Sequence, residues 1–371
     1  MEQPSFRAQQ REARIQRYSL RRSGSLASNE LTDANKADLE RLRFLEAYRQ
    51  QYSGTRPSLN SLRLDMVATV NFHRQYFPEL ESYKGKLQEI KHKPLRFNYE
   101  HKSGNGIVFV AGGVKYLTNV WMAIKTLRYF GCNLPVEIWY LDEYEMPVPF
   151  KKTFQTLTNV HLRNAAVQAI KGSVETGWQL KSYALINSHF ANVFFFDADT
   201  VVHRDPSFVF ASKEFTEHGA IFWPDIRKMA PDRLIWEICG VPPTDSHEVE
   251  AGQMVLDTKT NPLPLEIGLF MNEHREFFYR HLWGDKDTLP FAWRMCNRSF
   301  FILDEYKHLN VNGRFSGIRH IWTDREPLID HRIHCKWDIS LLPQIRTEGS
   351  PLNTICEEFM NELRFLVSTN T

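Results

Sequence analysis

The chain has 371 residues, of which 42% are hydrophobic and 24% charged, as in ordinary globular proteins. A formal net charge of +2 without a long basic stripe gives no reason to expect a nucleic-acid partner. Five scattered cysteines without a CxxC pair argue against a zinc knuckle and against a dense disulfide framework. This length accommodates one large α/β domain with an appendage.

The first hundred residues are predicted to lie outside the main domain. Residues 1–29 are rich in Arg and Ser and are predicted to form a disordered tail, with a transit peptide as the alternative. Residues 30–100 carry apolar side chains at helical spacing, which predicts a helical N-terminal extension. No window approaches the ~20 apolar residues of a membrane helix, so we expect no transmembrane segment and a cytoplasmic location for the chain as written.

A strand, helix, strand unit opens the main domain, which we place at residues 101–345. GIVFVAGG (106–113) is a short apolar strand that ends in two glycines, and YLTNVWMAIKTLRYFG (116–131) has one apolar helical face with a capping glycine. LPVEIWYLDE (134–143) is a second apolar strand. This order predicts an α/β fold with a mostly parallel sheet flanked by helices. Residues 346–371 are assigned to a C-terminal helix or tail.

The later elements continue this pattern. The sequence predicts a helix over 178–190 that leads into the strand FFFDAD, a strand IFWPDI (221–226) and a helix over 231–239. EVEAGQMVLDTK (248–259) is interpreted as a small-residue turn at Ala251-Gly252 that runs into the strand MVLD. HLWGDKDTLPFAW (281–293) is a loop followed by a helix, and IDHRIHCKWD (329–338) alternates like a strand that carries His331 and His334.

Two aspartates follow the buried strand NVFFF at residues 192–196. In extended backbone, residues i and i+2 point to the same side, so Asp197 and Asp199 can aim both carboxylates at one point. One aspartate is explained by turn formation, but two converging carboxylates repel unless a cation lies between them. The pattern therefore predicts a divalent metal at the carboxyl edge of a parallel sheet, where such sheets bind ligands.

Two chemistries compete for this motif. DxDxT resembles the haloacid-dehalogenase phosphatases, in which Asp197 would attack a phosphoryl group with magnesium assisting. That motif ordinarily lies on the first strand of its core, whereas here an α/β unit precedes it. Alternatively, the aspartates hold Mn²⁺ (or Mg²⁺) against the diphosphate of a nucleotide-sugar, whose departure the cation assists. Manganese accepts imidazole, which gives His331 or His334 a role as ligand.

Five blocks, GCNLPVEIWY, GWQLKSYAL, FFFDADTVV, EAGQMVLDTK and WGDKD, resemble the fungal α-mannosyltransferases that elongate mannans from GDP-mannose. Their order is similar to that of glycogenin-like retaining glycosyltransferases of the GT-A fold. The resemblance covers residues 104–340 and implies a GT-A nucleotide-sugar-binding fold. It also implies a glycan or small hydroxyl acceptor, and a Golgi location where the usual membrane anchor of that family is present.

The resemblance also implies roles for particular residues. Lys181 would reach the donor phosphates or sugar, Gly252 with Gln253 would line the sugar pocket, and Asp285 and Asp287 would contact sugar or acceptor. Three carboxylates stay open as nucleophile or stabiliser of a retaining reaction: Glu250, Asp285 and Asp287. The candidate donor-binding set further includes Ala111, Gly112, Gly113 and Ala198 beside the two aspartates. A UDP-sugar donor and an inactive sugar-binding module are the remaining alternatives.

Overall fold

The computed structural model describes residues 79–168 and 177–370. The predicted tail at 1–29 and most of the predicted helical extension, residues 30–78, lie outside the described residues. At the end of that extension the chain forms a helix, α1, over Leu80–Ile90.

Eleven strands are described. In chain order they are β1 Asn105–Val110, β2 Val136–Tyr140, β3 Val160–Asn164, β4 Asn192–Asp197, β5 Thr200–Val202, β6 Ala220–Lys228, β7 His247–Asp257, β8 Phe301–Ile302, β9 Tyr306–Val311, β10 Arg314–Ile321 and β11 Pro327–His331.

The helices that follow α1 are α2 Gly113–Tyr129, α3 Val148–Gln155, α4 Ala165–Gln168, α5 Gly177–Asn187, α6 Lys213–His218, α7 Ile235–Cys239, α8 Pro262–Glu273, α9 Arg275–Phe278, α10 Thr288–Met295 and α11 Asn353–Thr369. Two 3₁₀ turns lie at Glu143–Glu145 and Pro206–Ala211. No helix among these described segments has the length and apolar character that a membrane span requires.

A seven-stranded sheet in the order β3-β2-β1-β4-β7-β6-β8 forms the centre of the molecule. Strands β1 to β4 pair in parallel, and within this sheet only β7 runs in the opposite direction. The predicted α/β class with a mostly parallel central sheet is therefore confirmed. A second, antiparallel sheet has the order β5-β11-β10-β9, and its strand β5 follows β4 after a two-residue turn.

Strand β4 is apolar on both sides because both faces of the central sheet are covered. Phe194 and Phe196 pack into the hydrophobic cluster under α2 and α11, and Val193 and Phe195 into the cluster under α5 and α8. A continuous apolar run is what a parallel strand buried on both faces requires. The burial of β4 thus fixes which residue is the first to leave the core, and that residue is Asp197.

Two local structures predicted from the sequence differ from those observed. Ala251 and Gly252 form no turn but lie within the continuous strand β7, where the register with β6 shifts between Phe222 and Trp223. A bulge of this kind accommodates the small residues without ending the strand. The predicted strand with two histidines ends at His331, so that His334 lies in the irregular segment beyond β11.

Candidate active site

The predicted metal-binding aspartates lie at the carboxyl end of β4 together with one histidine. Asp197, Asp199 and His331 each offer a ligand atom within 4.8 Å of the others. His331 reaches this point because β11 pairs with β5, which places it opposite Thr200 in the register. Residues as far apart in the sequence as Asp197 and His331 thus meet where the two sheets adjoin. Their carboxylate and imidazole groups suit a divalent cation.

Two glycines make room for His331, one for its imidazole and one for its backbone carbonyl. A Cβ on Gly252 would lie 2.5 Å from Nδ1 of His331, and a Cβ on Gly317 would lie 2.2 Å from the carbonyl oxygen of the same residue. Neither glycine has a positive φ, so the requirement is one of space and not of backbone conformation. The small residue in EAGQ is therefore explained by close approach of β7 to His331.

His331 lies between two carboxylates. Its Nε2 is 3.4 Å from Oδ2 of Asp199, and its Nδ1 is 3.3 Å from Oε2 of Glu250. Burial alone would lower the pKa of His331, but the charges of Glu250 and Asp199 outweigh burial and raise it well above its usual value. Burial would raise the pKa of Glu250, yet His331 holds it at about 2. Glu250 is thus placed to orient the imidazole, as carboxylates behind metal-binding histidines do.

Lys181 joins the two acidic motifs. Its Nζ lies 2.9 Å from Oδ1 of Asp197 and 3.1 Å from Oδ2 of Asp285. Burial would lower the pKa of this lysine, but the two carboxylates outweigh burial and raise it. Lys181 is therefore a fixed positive charge directly beside the predicted metal-binding group, and the GDKD loop contributes Asp285 to the same centre.

The pKa values of the two aspartates of the DAD motif shift in opposite directions. Burial raises the pKa of Asp197, which Lys181 opposes only in part. Burial acts in the same direction on Asp199, but His331 and Lys336 together lower its pKa. The Nζ atom of Lys336 forms an ion pair with Oδ2 of Asp199. The negative charge of Asp199 raises the pKa of Asp197 further, because two neighbouring carboxylates repel each other.

A buried polar network holds Lys181 and Asp285 in place. The side-chain amide of Asn272 on α8 donates to Oγ of Ser182 at 2.9 Å and to Oγ1 of Thr288 at 3.1 Å. Ser182 follows Lys181 on α5, and Oγ1 of Thr288 donates to the carbonyl of Asp285 at 2.7 Å. Asn272 thereby ties the helix that carries the lysine to the loop that carries the aspartate, as a satisfied buried network does.

Asp287, the second aspartate of GDKD, has a different environment. It is buried, and its Oδ1 accepts a hydrogen bond of 2.9 Å from the backbone amide of Val249 in β7. Burial raises its pKa to about 6, against the opposing charge of Lys286. Lys286 itself pairs with Asp225 and Glu248. Asp287 therefore fixes the start of β7, which leads to Glu250 and Gly252, and does not contact Lys181.

The double glycine after β1 lies beside the DAD motif, because Val110 pairs with Asp197 in the register. Ala111 is buried, Gly112 precedes the first residue of α2, and Gly113 has φ +74°. A Cβ on Gly112 would lie 2.1 Å from the Glu145 carboxylate. This corner combines a helix N-terminus with a backbone that needs glycine, next to the aspartates.

Two further candidates can be placed. Gln253 pairs with Phe196 in the register of β7 and β4, is fully buried, and its amide has no hydrogen-bond partner among the described residues. Ala198 is buried in the core between the two aspartates. His334, by contrast, is exposed, and its ring lies against Phe315 and outside the group formed by Asp197, Asp199 and His331.

Lys336 was not among the residues predicted from the sequence. It follows β11 in the segment HCKW, where neighbouring Trp337 is buried and its backbone amide donates to Asn119 at 2.9 Å. This anchoring turns the chain back toward Asp199. The sequence shows only a lysine next to a tryptophan shortly after the two histidines. This pair has no helical or strand periodicity, so it did not indicate a site residue.

Comparison with known proteins agrees with the motif resemblance. A family model described as "Mannosyltransferase putative" matches residues 104–245. The resemblance to the fungal mannosyltransferase family is confirmed. Alpha-1,2-mannosyltransferase MNN24 of Candida albicans is 25% identical over 306 residues, which cover 68% of this chain and 42% of that protein. Alpha-1,2-mannosyltransferase MNN2 of Saccharomyces cerevisiae is 30% identical over 142 residues, which cover 37% of this chain and 24% of that protein.

The chain thus spans less than half the length of these two curated relatives. Among solved structures, glycosyltransferase GlyE of Streptococcus pneumoniae TIGR4 aligns with a TM-score of 0.44 and 13% identity, covering 72% of this chain and 63% of that one. The galactosyltransferase LgtC, solved in complex with donor and acceptor sugar analogs, aligns with a TM-score of 0.38 and 13% identity over 54% of this chain and 73% of that one.

Proposed function

We propose that this chain is a metal-dependent retaining glycosyltransferase that moves mannose from GDP-mannose to a hydroxyl of a glycan or other acceptor. The observation that carries the proposal is the convergence of Asp197, Asp199 and His331 at the carboxyl edge of β4, with Lys181 beside them. The names of the similar fungal proteins support mannose as the sugar.

The residues present fit a divalent cation. Two carboxylates and an imidazole within 4.8 Å form a donor set that Mn²⁺ accepts, and Mg²⁺ less readily because of the nitrogen. Asp197, Asp199 and His331 would hold the ion, and Glu250 would orient His331. When bound, the ion would neutralise charge on a departing diphosphate.

Two lysines would also stabilise the negative charge of the departing diphosphate. Lys181 pairs with Asp197 and Lys336 with Asp199, so a diphosphate placed at this group meets a positive charge beside each aspartate. Groups that are fixed before the reaction stabilise developing negative charge without reorganising. We assign the nucleotide to the glycine corner at 111–113, since Gly112 is the N-cap of α2 and Gly113 its first residue, beside Asp197.

Of the three carboxylates proposed for the retaining step, Asp285 has the position that suits it best. It contacts Lys181, whereas Glu250 is engaged with His331 and Asp287 with the Val249 amide. We therefore assign Asp285 to stabilise the sugar as the diphosphate departs, and Gln253 to face the sugar with its unpaired amide. Glu250 and Asp287 are positioning residues.

Purified protein with MnCl₂ tests the proposal when GDP-mannose and each of UDP-glucose, UDP-galactose and UDP-xylose are supplied with mannobiose as acceptor. We expect GDP release with GDP-mannose, no inorganic phosphate, and loss of activity in EDTA. Asp199→Asn should lower turnover by roughly 10²-fold or more, because it removes charge from the metal-binding group. Asp324→Asn is the matched control, since Asp324 is a partly exposed aspartate paired with Arg204.

Each alternative has its own result in the same assay. Turnover of a UDP-sugar but not of GDP-mannose would replace the donor. Phosphate release from a phosphate ester with magnesium would favour the phosphatase chemistry, in which Asp197 carries a phosphoryl group. Full activity of Asp199→Asn would contradict the metal-binding assignment itself.

A further inference from the structure

Two exposed tryptophans flank the loop that supplies Asp285. Trp178 is 57% exposed and Trp283 is 63% exposed. Trp178 lies one helical turn before Lys181 on α5, and Trp283 lies two residues before Asp285. Tryptophan is large and apolar, so leaving two of them in water next to a polar centre requires an explanation other than packing.

The structure holds Trp178 against the acidic loop. Gly284 has φ +77°, and a Cβ there would lie 3.6 Å from Cζ3 of Trp178, so this ring covers the backbone between Trp283 and Asp285. Tyr279 supports the same ring at a centroid distance of 5.9 Å, and its hydroxyl donates to Asn272. Trp178 is therefore fixed on one edge while much of the ring stays open to solvent.

The two tryptophans lie away from the glycine corner at 111–113, where we propose that the nucleotide binds. Along the carboxyl edge of the sheet the order is the glycines after β1, the aspartates after β4, and then β7 with the GDKD loop that packs on its first residues. A nucleotide at residues 111–113 has its diphosphate at Asp197 and Asp199, so the sugar and whatever attacks it lie toward Asp285. The tryptophans lie on that side.

We infer that Trp178 and Trp283 form the platform on which a pyranose ring of the acceptor glycan stacks; the inference rests on the proposed function. A pyranose has a face of axial C–H groups that carry a small positive charge, and the face of an indole ring is negative. The hydroxyls at the ring edge stay hydrated or reach the polar groups of the centre. Such a platform selects an oligosaccharide and not a small polar alcohol, because an alcohol offers no face to stack.

The test measures binding of mannotriose by titration calorimetry, with Trp178→Ala, Trp283→Ala and the double variant. Both side chains are on the surface, so the variants are expected to fold. Phe365→Ala is the matched control, because Phe365 is an exposed aromatic at 66% in the C-terminal helix. We expect each tryptophan variant to weaken mannotriose binding about tenfold, while the affinity for GDP with MnCl₂ stays within twofold of wild type. Phe365→Ala should bind mannotriose as wild type does.

The outcomes separate the platform from the proposed activity. Mannotriose binding that the tryptophan variants lose supports the platform, even if no nucleotide-sugar is turned over and the proposed function fails. If GDP-mannose is turned over but the acceptor KM and the binding of mannotriose are the same in wild type and double variant, the platform is wrong while the function stands. Loss of GDP affinity in the variants would make the tryptophans part of a nucleotide site and overturn the inference. Absence of mannotriose binding to wild type in the calorimeter would overturn it as well, whether or not a nucleotide-sugar is turned over.

Discussion

A methyl group at position 252 is the most direct test of how the proposed metal-binding group is assembled. Gly252→Ala changes no ligand and no charge, and the backbone at this position lies outside the left-handed region. The new Cβ would lie 2.5 Å from Nδ1 and 2.7 Å from Cε1 of His331, whereas ordinary contacts begin at 3.4 Å. The imidazole must therefore retreat by about 0.9 Å, the difference between 3.4 and 2.5 Å.

The ring cannot retreat freely, because Asp199 and Glu250 lie within 3.4 Å of its two nitrogens and His331 is buried. Overpacking of this kind costs about 1–3 kcal/mol of unfolding free energy. A displacement of the imidazole by about 1 Å also removes it from the position of a ligand. By analogy with changes behind metal-binding histidines, we expect Mn²⁺ affinity to fall by roughly 10- to 100-fold.

Thermal unfolding with and without MnCl₂ measures both effects in one experiment. The variant should melt below wild type in EDTA and gain less on addition of the metal, because ligand-induced stabilisation grows with affinity. Gly85→Ala is the control, since Gly85 lies on the exposed side of α1 with nothing within 4 Å of its added Cβ. An equal metal-dependent shift in Gly252→Ala and wild type would refute the role of close packing at His331.

Three further changes test other parts of the site and fold. Lys181→Met keeps the apolar stem and should lower turnover by roughly 10²-fold, measured as GDP release. A change below threefold would show that Lys181 serves only to pair Asp197 and Asp285. Asn272→Ala should cost about 2–4 kcal/mol in urea unfolding and lower turnover, because it unties Ser182 from Thr288; unchanged turnover would show that this network does not position Lys181. Burial lowers the pKa of Lys102 to about 7. Between pH 7 and 10 the unfolded chain therefore binds a proton that the folded chain does not. The free energy of unfolding rises with pH in this range by up to ~1.4 kcal/mol per pH unit. Lys102→Met should lack that part of the slope in urea unfolding at pH 7, 8 and 9, and equal slopes would contradict the buried neutral amine.

The elements that determine the site were predictable where a local pattern sufficed. The apolar run before Asp197 has no polar face, which predicts a strand buried on both sides and an aspartate at its end. The helix that precedes this strand was also predicted from its local pattern. These predictions depend only on neighbours in the chain, whereas the role of Lys181 was implied only by the family resemblance.

The second sheet was not predictable in the same way. His331 and His334 occupy similar positions in an alternating segment, and the sequence left both open as ligands. The choice depends on where β11 stops pairing with β5 and β10, and it stops at His331. Gly317 permits that pairing, since a side chain there would collide with the carbonyl of His331. Long-range pairing, and not local periodicity, therefore decides which histidine lies beside Asp197 and Asp199.

The different roles of Asp285 and Asp287 were likewise not predictable from local sequence. Asp285 and Asp287 differ by two positions, and in a loop that spacing says nothing about direction. In the structure Asp285 turns to Lys181, and Asp287 turns to the amide of Val249. The two directions arise because Thr288 begins α10 and bonds the carbonyl of Asp285, while β7 presents an amide that needs an acceptor. One carboxylate is thus used to build the strand that holds Glu250 and Gly252, and the other faces Lys181. In a site of this kind, the hydrogen bonds that the scaffold requires have to be assigned first. A carboxylate that the scaffold uses, as it uses Asp287, is not available to a substrate.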